Sequence, residues 1–189
     1  PDRLQLRLHG ARALSDKQVA IASRHLRHML RLDDDLSAFH ARCADDEGLR
    51  WAARRGAGRL LRSATMFEDL MKLLFTTNTS WSATEAMTRN LVAAAGTPAP
   101  SGERAFPTPQ QCLRDERFWR DVVRVGYRAA AAQQLAQRFH DGELTDAQFL
   151  DPQPSDVLWK RLLALRGFGP YAAGQAIDRK STRLNSSHT

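Results

Sequence analysis

Apolar residues recur along most of the chain at three- and four-residue intervals, the spacing of one face of an α-helix. The clearest case follows Thr65, where five apolar side chains fall on a single face: Phe67, Leu70, Met71, Leu74 and Phe75. Similar spacing follows Ser15 and marks residues 129–139, 157–165 and 171–177. The pattern predicts an all-α chain.

Five segments have the spacing of a capping box, in which a hydroxyl side chain and a Glu or Gln three residues later close a helix start. They begin at Ser15, Thr65, Ser82, Thr108 and Thr145. The helix after Ser82 should end near Gly96, and the proline-containing stretch from there to Pro109 predicts an irregular connection. Gly56-Ala-Gly58 predicts a bend before the main helical body.

Only residues 4–8, Leu-Gln-Leu-Arg-Leu, alternate as a strand does. We expect this segment to be the remnant of a small N-terminal sheet. The predicted organisation is an N-terminal portion at 1–62, holding that strand and some helices, followed by a helical domain at 63–177.

Residues 178–189 have no apolar periodicity, and their sequence is what a common high-throughput sequencing adapter encodes when translated. We expect this tail to be an artefact and exclude it from the fold. The first residue is Pro1 rather than methionine. We therefore expect an incomplete fragment of a longer gene, whose natural sequence stops within a helix at Ile177.

The formal net charge of +7 is a mild basic excess, compatible with nucleic acid but not specific for it. Two cysteines, Cys43 and Cys112, lie far apart and cannot supply a four-cysteine iron–sulfur set. Whether such a set follows in the full gene is left open. The histidines show no metal-site spacing, and we expect neither a metal site nor a membrane-spanning segment.

The most informative segment is Leu165-Arg-Gly-Phe-Gly-Pro170, a glycine-flanked turn between two predicted helices. Proline is favoured at a first helical position, and glycine permits a positive φ. Free N–H groups at a helix N-terminus suit a phosphate oxygen. The pattern is that of a helix-hairpin-helix. The simpler interpretation is a plain turn with a glycine C-cap and a proline start.

Four motifs occur in one order: Phe67-Glu-x-Leu70, Phe75-Thr-Thr-Asn-Thr-Ser-Trp81, Val125-Gly-Tyr-Arg128 and the turn at 165–171. Together they resemble the helix-hairpin-helix superfamily of DNA base-excision glycosylases, in particular the 8-oxoguanine and bacterial 3-methyladenine types. The resemblance covers roughly residues 16–177. It implies an incomplete version of that all-α fold and damaged double-stranded DNA as partner. It also implies a monomer in the bacterial cytoplasm, at the nucleoid.

The resemblance assigns roles to the turn. The backbone amides of Gly167, Phe168 and Gly169 would bind a DNA phosphate, with a monovalent cation as a possible companion. The damaged nucleotide would rotate out of the duplex, because its glycosidic bond cannot be reached inside the stack.

In the family a catalytic aspartate lies about twenty residues after the turn. In this chain that position falls beyond Thr189, so we expect the catalytic residue to be absent and the fragment to be inactive. Tyr171 occupies the position of the lysine that forms a Schiff base in lyase members. A phenol cannot form that imine, so the parent enzyme should be a monofunctional glycosylase that uses water, acting on a damaged purine.

Three further residues match family positions that contact DNA around the vacated base. Asn78 would contact the orphaned base, Tyr127 would wedge into the stack, and Arg128 would reach the opposite strand. The simpler alternatives are a helix cap for Asn78, a helix-start anchor for Tyr127 and a solvated side chain for Arg128. Trp81 has two interpretations, the wall of a base pocket or a core residue, and the second is the commoner for a tryptophan near a helix start.

Two rival functions stay open. A non-catalytic helix-hairpin-helix DNA-binding module would use the same turn without base excision, although such modules usually repeat it. A helical protein–protein adaptor would present a basic face to an acidic partner. The arginines at 54, 55, 59 and 62 fit either DNA steering or a solvated face.

Overall fold

The computed structural model describes residues 5–8 and 13–180, and these residues are helical over most of their length. Within those ranges nine α-helices follow one another: α1 Asp16–Leu30, α2 Ser37–Asp45, α3 Arg50–Arg55, α4 Met66–Thr76, α5 Trp81–Ala95, α6 Ala129–His140, α7 Asp146–Leu150, α8 Ser155–Leu163 and α9 Pro170–Lys180. Shorter 3₁₀ turns at Gln110–Cys112 and Gly126–Arg128 flank a π-helical segment, Phe118–Val123. The predicted all-α class is confirmed.

Side-chain caps define most of the predicted helix starts. Ser15 and Thr145 form complete capping boxes, and Thr65 accepts a hydrogen bond from the Glu68 amide. The prediction at Ser82 is wrong, because Ser80 caps α5 by accepting from the Ala83 amide at 3.3 Å. The hydrogen bonds predicted at Thr108 do form, but they close only the 3₁₀ turn.

The core is centred on α4, whose predicted apolar face is buried throughout. This helix packs against α5, α6, α7 and α9. Phe67 lies edge-on to Phe139 of α6, with ring centroids 5.4 Å apart, and Phe139 stacks on Phe149 of α7. The buried cluster extends from Met66 to Ala176, inside the predicted helical domain. The boundary at 62 stays a prediction.

Of the N-terminal expectations, the strand is wrong and helix α1 is confirmed. Residues 5–8 form no strand, since an alternating segment needs a paired neighbour and the described residues supply none; Leu4 lies outside the described residues. Helix α1 forms as predicted, but none of its residues is buried. Its apolar face is only partly covered, with Ala22, Leu26, Met29 and Leu30 partly buried.

The last helix is longer than predicted, because α9 continues three residues past Ile177. Arg31, at the end of α1, donates to the Asp178 carbonyl at 3.4 Å, and a cation at a helix C-terminus is favourable. Residues 181–189 of the predicted adapter tail lie outside the described residues. Among the residues described, no helix is both long and apolar enough to cross a bilayer.

Candidate functional site

The hairpin turn (residues 164–169) joins α8 to α9, with Pro170 as the first residue of α9, as predicted. Gly167 has φ +83°, and a Cβ there would lie 2.7 Å from Leu74 Cδ1 and 3.3 Å from the Ala131 side chain. Gly169 has no positive φ and open space around it. The turn therefore requires glycine at 167 for its conformation, whereas at 169 the protein itself does not.

The main-chain amides of the turn are only partly available. Phe168 donates its amide to the Leu165 carbonyl at 3.1 Å, and its ring is buried in the core. The prediction that its amide is free for a phosphate is wrong, because that hydrogen bond closes the turn. In the described part of the chain, the amides of Gly167, Gly169 and Tyr171 have no protein acceptor. Two of these three, Gly167 and Gly169, belong to the predicted set, and Tyr171 joins them in place of Phe168.

A second loop, Thr77–Ser80, follows α4 and is fixed by Arg128. The Arg128 guanidinium donates to the Thr77 carbonyl, to Thr77 Oγ1 at 3.1 Å, to the Asn78 carbonyl at 3.2 Å and to the Val125 carbonyl at 3.2 Å. Arg128 is only 7% exposed. The prediction that it reaches the opposite DNA strand is contradicted, because the turn after α4 offers carbonyls that occupy its donors.

Asn78 lies on this loop and Tyr127 lies beside it, on the 3₁₀ turn Gly126–Arg128, and both are exposed. Asn78 has φ +44°, in the left-handed region that Asn tolerates better than most residues. Tyr127 is 69% exposed, its hydroxyl lies 3.4 Å from the Thr77 carbonyl, and the Arg128 guanidinium lies 4.4 Å from its ring centroid. The Asn78 side chain and the face of the Tyr127 ring that Arg128 does not cover are available for contacts outside the protein.

Trp81, the first residue of α5, is 72% exposed, which contradicts the expectation of a core residue. The sequence contained a signal for this position. Ser80 is also a residue type favoured at the N-cap, which would make Trp81 the first residue of the helix. The polar run Thr76–Ser80 also predicts that no apolar neighbour follows α4 directly.

These features lie at one end of the helical body, which we call the hairpin end. It is where α4 and α8 end and where α5, α6 and α9 begin. The contact of Gly167 with Leu74 and Ala131 places the turn beside the last turn of α4 and the first of α6. The hydrogen bonds of Arg128 place the Thr77–Ser80 loop there as well.

The three helix N-termini at the hairpin end lack a neutralising carboxylate. Helices α5, α6 and α9 begin there, and none has an acidic residue in its first turn. By contrast α4, α7 and α8, which begin elsewhere, have acidic first turns. Carboxylates normally stabilise a helix N-terminus, so their absence from these three helices leaves partial positive charge for an external anion.

Other charged groups named from the sequence lie away from this end or are engaged within the protein. Arg59 donates to the carbonyls of Arg31 and Asp34. Burial and the neighbouring Arg31 lower the pKa of Arg62, which is half-buried.

Burial raises the pKa of the Cys112 thiol to about 12, so this cysteine stays protonated and unreactive.

No protein-family model matches the chain, and no curated protein matches it significantly. Solved structures do match. The 8-oxoguanine glycosylase/lyase of Clostridium acetobutylicum, in its apo form, has a TM-score of 0.70 at 21% identity, over 85% of this chain and 57% of that one. The same enzyme with double-stranded DNA containing cytosine opposite 8-oxoG has 0.67 at 22%, over 80% and 53%. The 3-methyladenine DNA-glycosylase of Archaeoglobus fulgidus has 0.70 at 20%, over 87% and 57%.

The chain thus spans little more than half the length of these solved structures. At such identities the likeness concerns the backbone fold, and it extends over most of the chain. The helical body with its glycine turn accordingly has the fold of the helix-hairpin-helix DNA glycosylases.

Proposed function

We propose that this chain is the DNA-gripping part of a DNA-repair glycosylase, and that its hairpin end binds double-stranded DNA at a damaged base. The observation that carries the proposal is the convergence of three acid-free helix starts on a turn with free amides. Such a surface matches the phosphate backbone in charge and in hydrogen-bond donors. The glycosylase fold supplies the context in which that surface would act.

In this proposal the amides of Gly167, Gly169 and Tyr171 hold one phosphate beside the lesion. Tyr127 enters the gap left by the extruded nucleotide, and the Asn78 amide donates and accepts at the orphaned base. Arg128 acts indirectly, because its hydrogen bonds fix the Thr77–Ser80 loop. The hydrolysis itself, in which water displaces a damaged purine from its sugar carbon, requires an anionic carboxylate that stabilises positive charge on the sugar. We propose that the hairpin end supplies the DNA contacts for that reaction.

A monovalent cation fits the hairpin turn. The carbonyl oxygens of Arg166, Gly167 and Phe168 accept no hydrogen bond from the described residues, so they are the groups that would hold it. When bound, such a cation would add positive charge next to the phosphate. Tyr171, which is 65% exposed at the start of α9, has a phenol that forms no imine. We therefore propose a monofunctional glycosylase, which hydrolyses the glycosidic bond without forming an imine. We also propose that it is a monomer of the bacterial cytoplasm.

The test is binding to a short duplex that contains an abasic-site analogue, compared with the intact duplex of the same sequence, at two salt concentrations. We expect roughly tenfold tighter binding to the abasic duplex, with affinity falling as salt rises, because phosphate contacts release counterions. Borohydride should trap no covalent adduct with a natural abasic site. Equal affinity for the two duplexes would favour the non-catalytic module, and binding to neither would favour the protein adaptor.

A further inference from the structure

Trp81 has the largest exposed fraction of the large apolar side chains that the structure describes as exposed, at 72%. The chain is able to bury such a side chain, since Trp119 is completely enclosed. A tryptophan can bury about 150–250 Å² of surface, so leaving it in water forgoes a large contribution to stability. Its position therefore calls for a partner outside the described protein.

The backbone beneath Trp81 is held on both sides. On one side Arg128 and Tyr127 fasten Thr77. On the other side Thr84 Oγ1 lies 3.2 Å from the Phe75 carbonyl and 3.1 Å from the Ser80 carbonyl, tying the first turn of α5 to the end of α4. Only the two side-chain torsions of the tryptophan need to be fixed on binding, so the entropic cost of using it as a contact is small.

The groups around Trp81 indicate the chemistry of its partner. Asn78 is exposed on the Thr77–Ser80 loop, and the exposed Tyr127 has its hydroxyl 3.4 Å from the Thr77 carbonyl. The first turn of α5 has no carboxylate to oppose an anion. A flat apolar plate, a second aromatic ring and an amide beside positive helix ends match a nucleobase joined to a phosphate backbone. A purely apolar partner would leave the Asn78 amide without a hydrogen-bond partner. An acidic peptide would leave the rings of Trp81 and Tyr127 without a group to stack on.

We propose that Trp81 is a second base-stacking residue, beside Tyr127, for a nucleobase that has lost its pairing partner in the bound DNA. This inference rests on the proposed function and deepens it, because it adds Trp81 to Asn78 and Tyr127 as a residue that contacts the unpaired base. Every base has a π-face, so the contact should depend little on which base stands opposite the lesion.

The experiment measures affinity, by fluorescence anisotropy, for a duplex with an abasic-site analogue opposite each of the four bases. Trp81→Ala should weaken binding about tenfold to a hundredfold with all four bases, as expected when one stacked base is lost. Trp81→Phe, which keeps an aromatic plate, should restore most of the affinity. Trp51→Ala is the matched control, because Trp51 is also more than half exposed but lies on α3, which packs mainly against α2.

A second readout uses 2-aminopurine as the base opposite the abasic site. Stacking on an indole should quench its fluorescence in the wild-type complex and not in the complex with Trp81→Leu, a variant that keeps the helix start apolar. The inference is overturned if Trp81→Ala and Trp81→Leu bind the abasic duplex as tightly as wild type while the wild type still prefers it over intact duplex. If the wild type itself bound the abasic duplex no more tightly than the intact duplex, the proposed function would be overturned instead.

Discussion

At the scale of single residues, Arg128 is the side chain on which the candidate site depends most. Its donors are directed at the Thr77 and Asn78 carbonyls and at Val125, and its guanidinium lies over the Tyr127 ring. The residue therefore fixes the loop that displays Asn78 and Trp81 and supports the ring of Tyr127. A DNA-contacting role assigned from sequence becomes a positioning role.

Arg128→Ala should reduce the free energy of unfolding by about 2–4 kcal/mol, because it removes a buried side chain and leaves the buried Val125 and partly buried Thr77 carbonyls without this donor. Arg128→Lys should recover only part of this loss, since an ammonium cannot reproduce the planar fork. Urea denaturation monitored by circular dichroism measures both variants. Arg166→Ala, which changes an exposed side chain in the turn, is the control and should stay within about 0.5 kcal/mol of wild type. An Arg128→Ala protein as stable as wild type would contradict the clamp.

At the scale of elements, the hairpin turn combines a conformational requirement with a steric one. Gly167 adopts a positive φ against Leu74, whereas Gly169 faces open space with an ordinary φ. One glycine thus belongs to the packing of α9 on α4. Gly169 has no side chain and so leaves room for a phosphate to approach the turn.

Gly167→Ala should destabilise the protein by about 1–3 kcal/mol, because Ala in the left-handed region is strained and its methyl would press on Leu74. Gly169→Ala should leave the melting temperature near that of wild type but weaken binding to the abasic duplex several-fold. The two variants add the same methyl group, so each serves as the control for the other. If Gly169→Ala bound DNA as wild type does, the turn would not be the phosphate contact.

The junction of α1 with α4 and α7 contains partly buried titratable groups. Burial, then Arg62, lowers the pKa of His28, while Asp69 and Asp146 act in the opposite direction and His25 adds a small lowering. Burial raises the pKa of Asp146, which accepts a hydrogen bond from the Met66 amide. His28 is thus neutral in the folded protein at neutral pH.

A depressed histidine pKa gives stability that is present above the unfolded value of about 6.5 and lost as pH falls through the folded value. The free energy of unfolding should therefore decrease between about pH 7.5 and pH 5.5. Asp146 acts with the opposite sign but at lower pH, because its ordinary pKa is near 4 and its protonation favours the fold. His28→Gln should flatten the decrease in urea denaturation curves. An equally steep decrease in the variant would assign it to other groups.

At the scale of the whole molecule, the fold brings three helix N-termini without carboxylates to one end, beside the C-termini of α4 and α8. Two helices of the body end and three begin at the hairpin end, and the acidic first turns belong to helices that begin elsewhere. The place where an anion should bind therefore depends more on the directions of the helices than on the net charge of +7. We therefore predict that DNA contacts one end of the body and not the arginines before α4.

The sequence predicted the helical body well where one period dominated, as in α4, and it located the hairpin turn from glycine and proline alone. It could not show that Phe168 closes the turn with its amide or that Arg128 is buried, because both depend on carbonyls supplied by the three-dimensional fold. Trp81 was misplaced for a related reason. Local spacing reports that a helix starts there, but not whether another element covers its first residue. The apolar face of α1 illustrates the same limit.

The most direct test of the central claim is amide hydrogen exchange with and without a duplex containing an abasic-site analogue. We predict slowed exchange at Gly167, Gly169 and Tyr171, accompanied by protection of the Thr77–Ser80 loop and Tyr127, with little change in α1–α3. Protection confined to α1–α3, or tight binding that leaves exchange in the hairpin turn unaltered, would contradict DNA binding at the hairpin end.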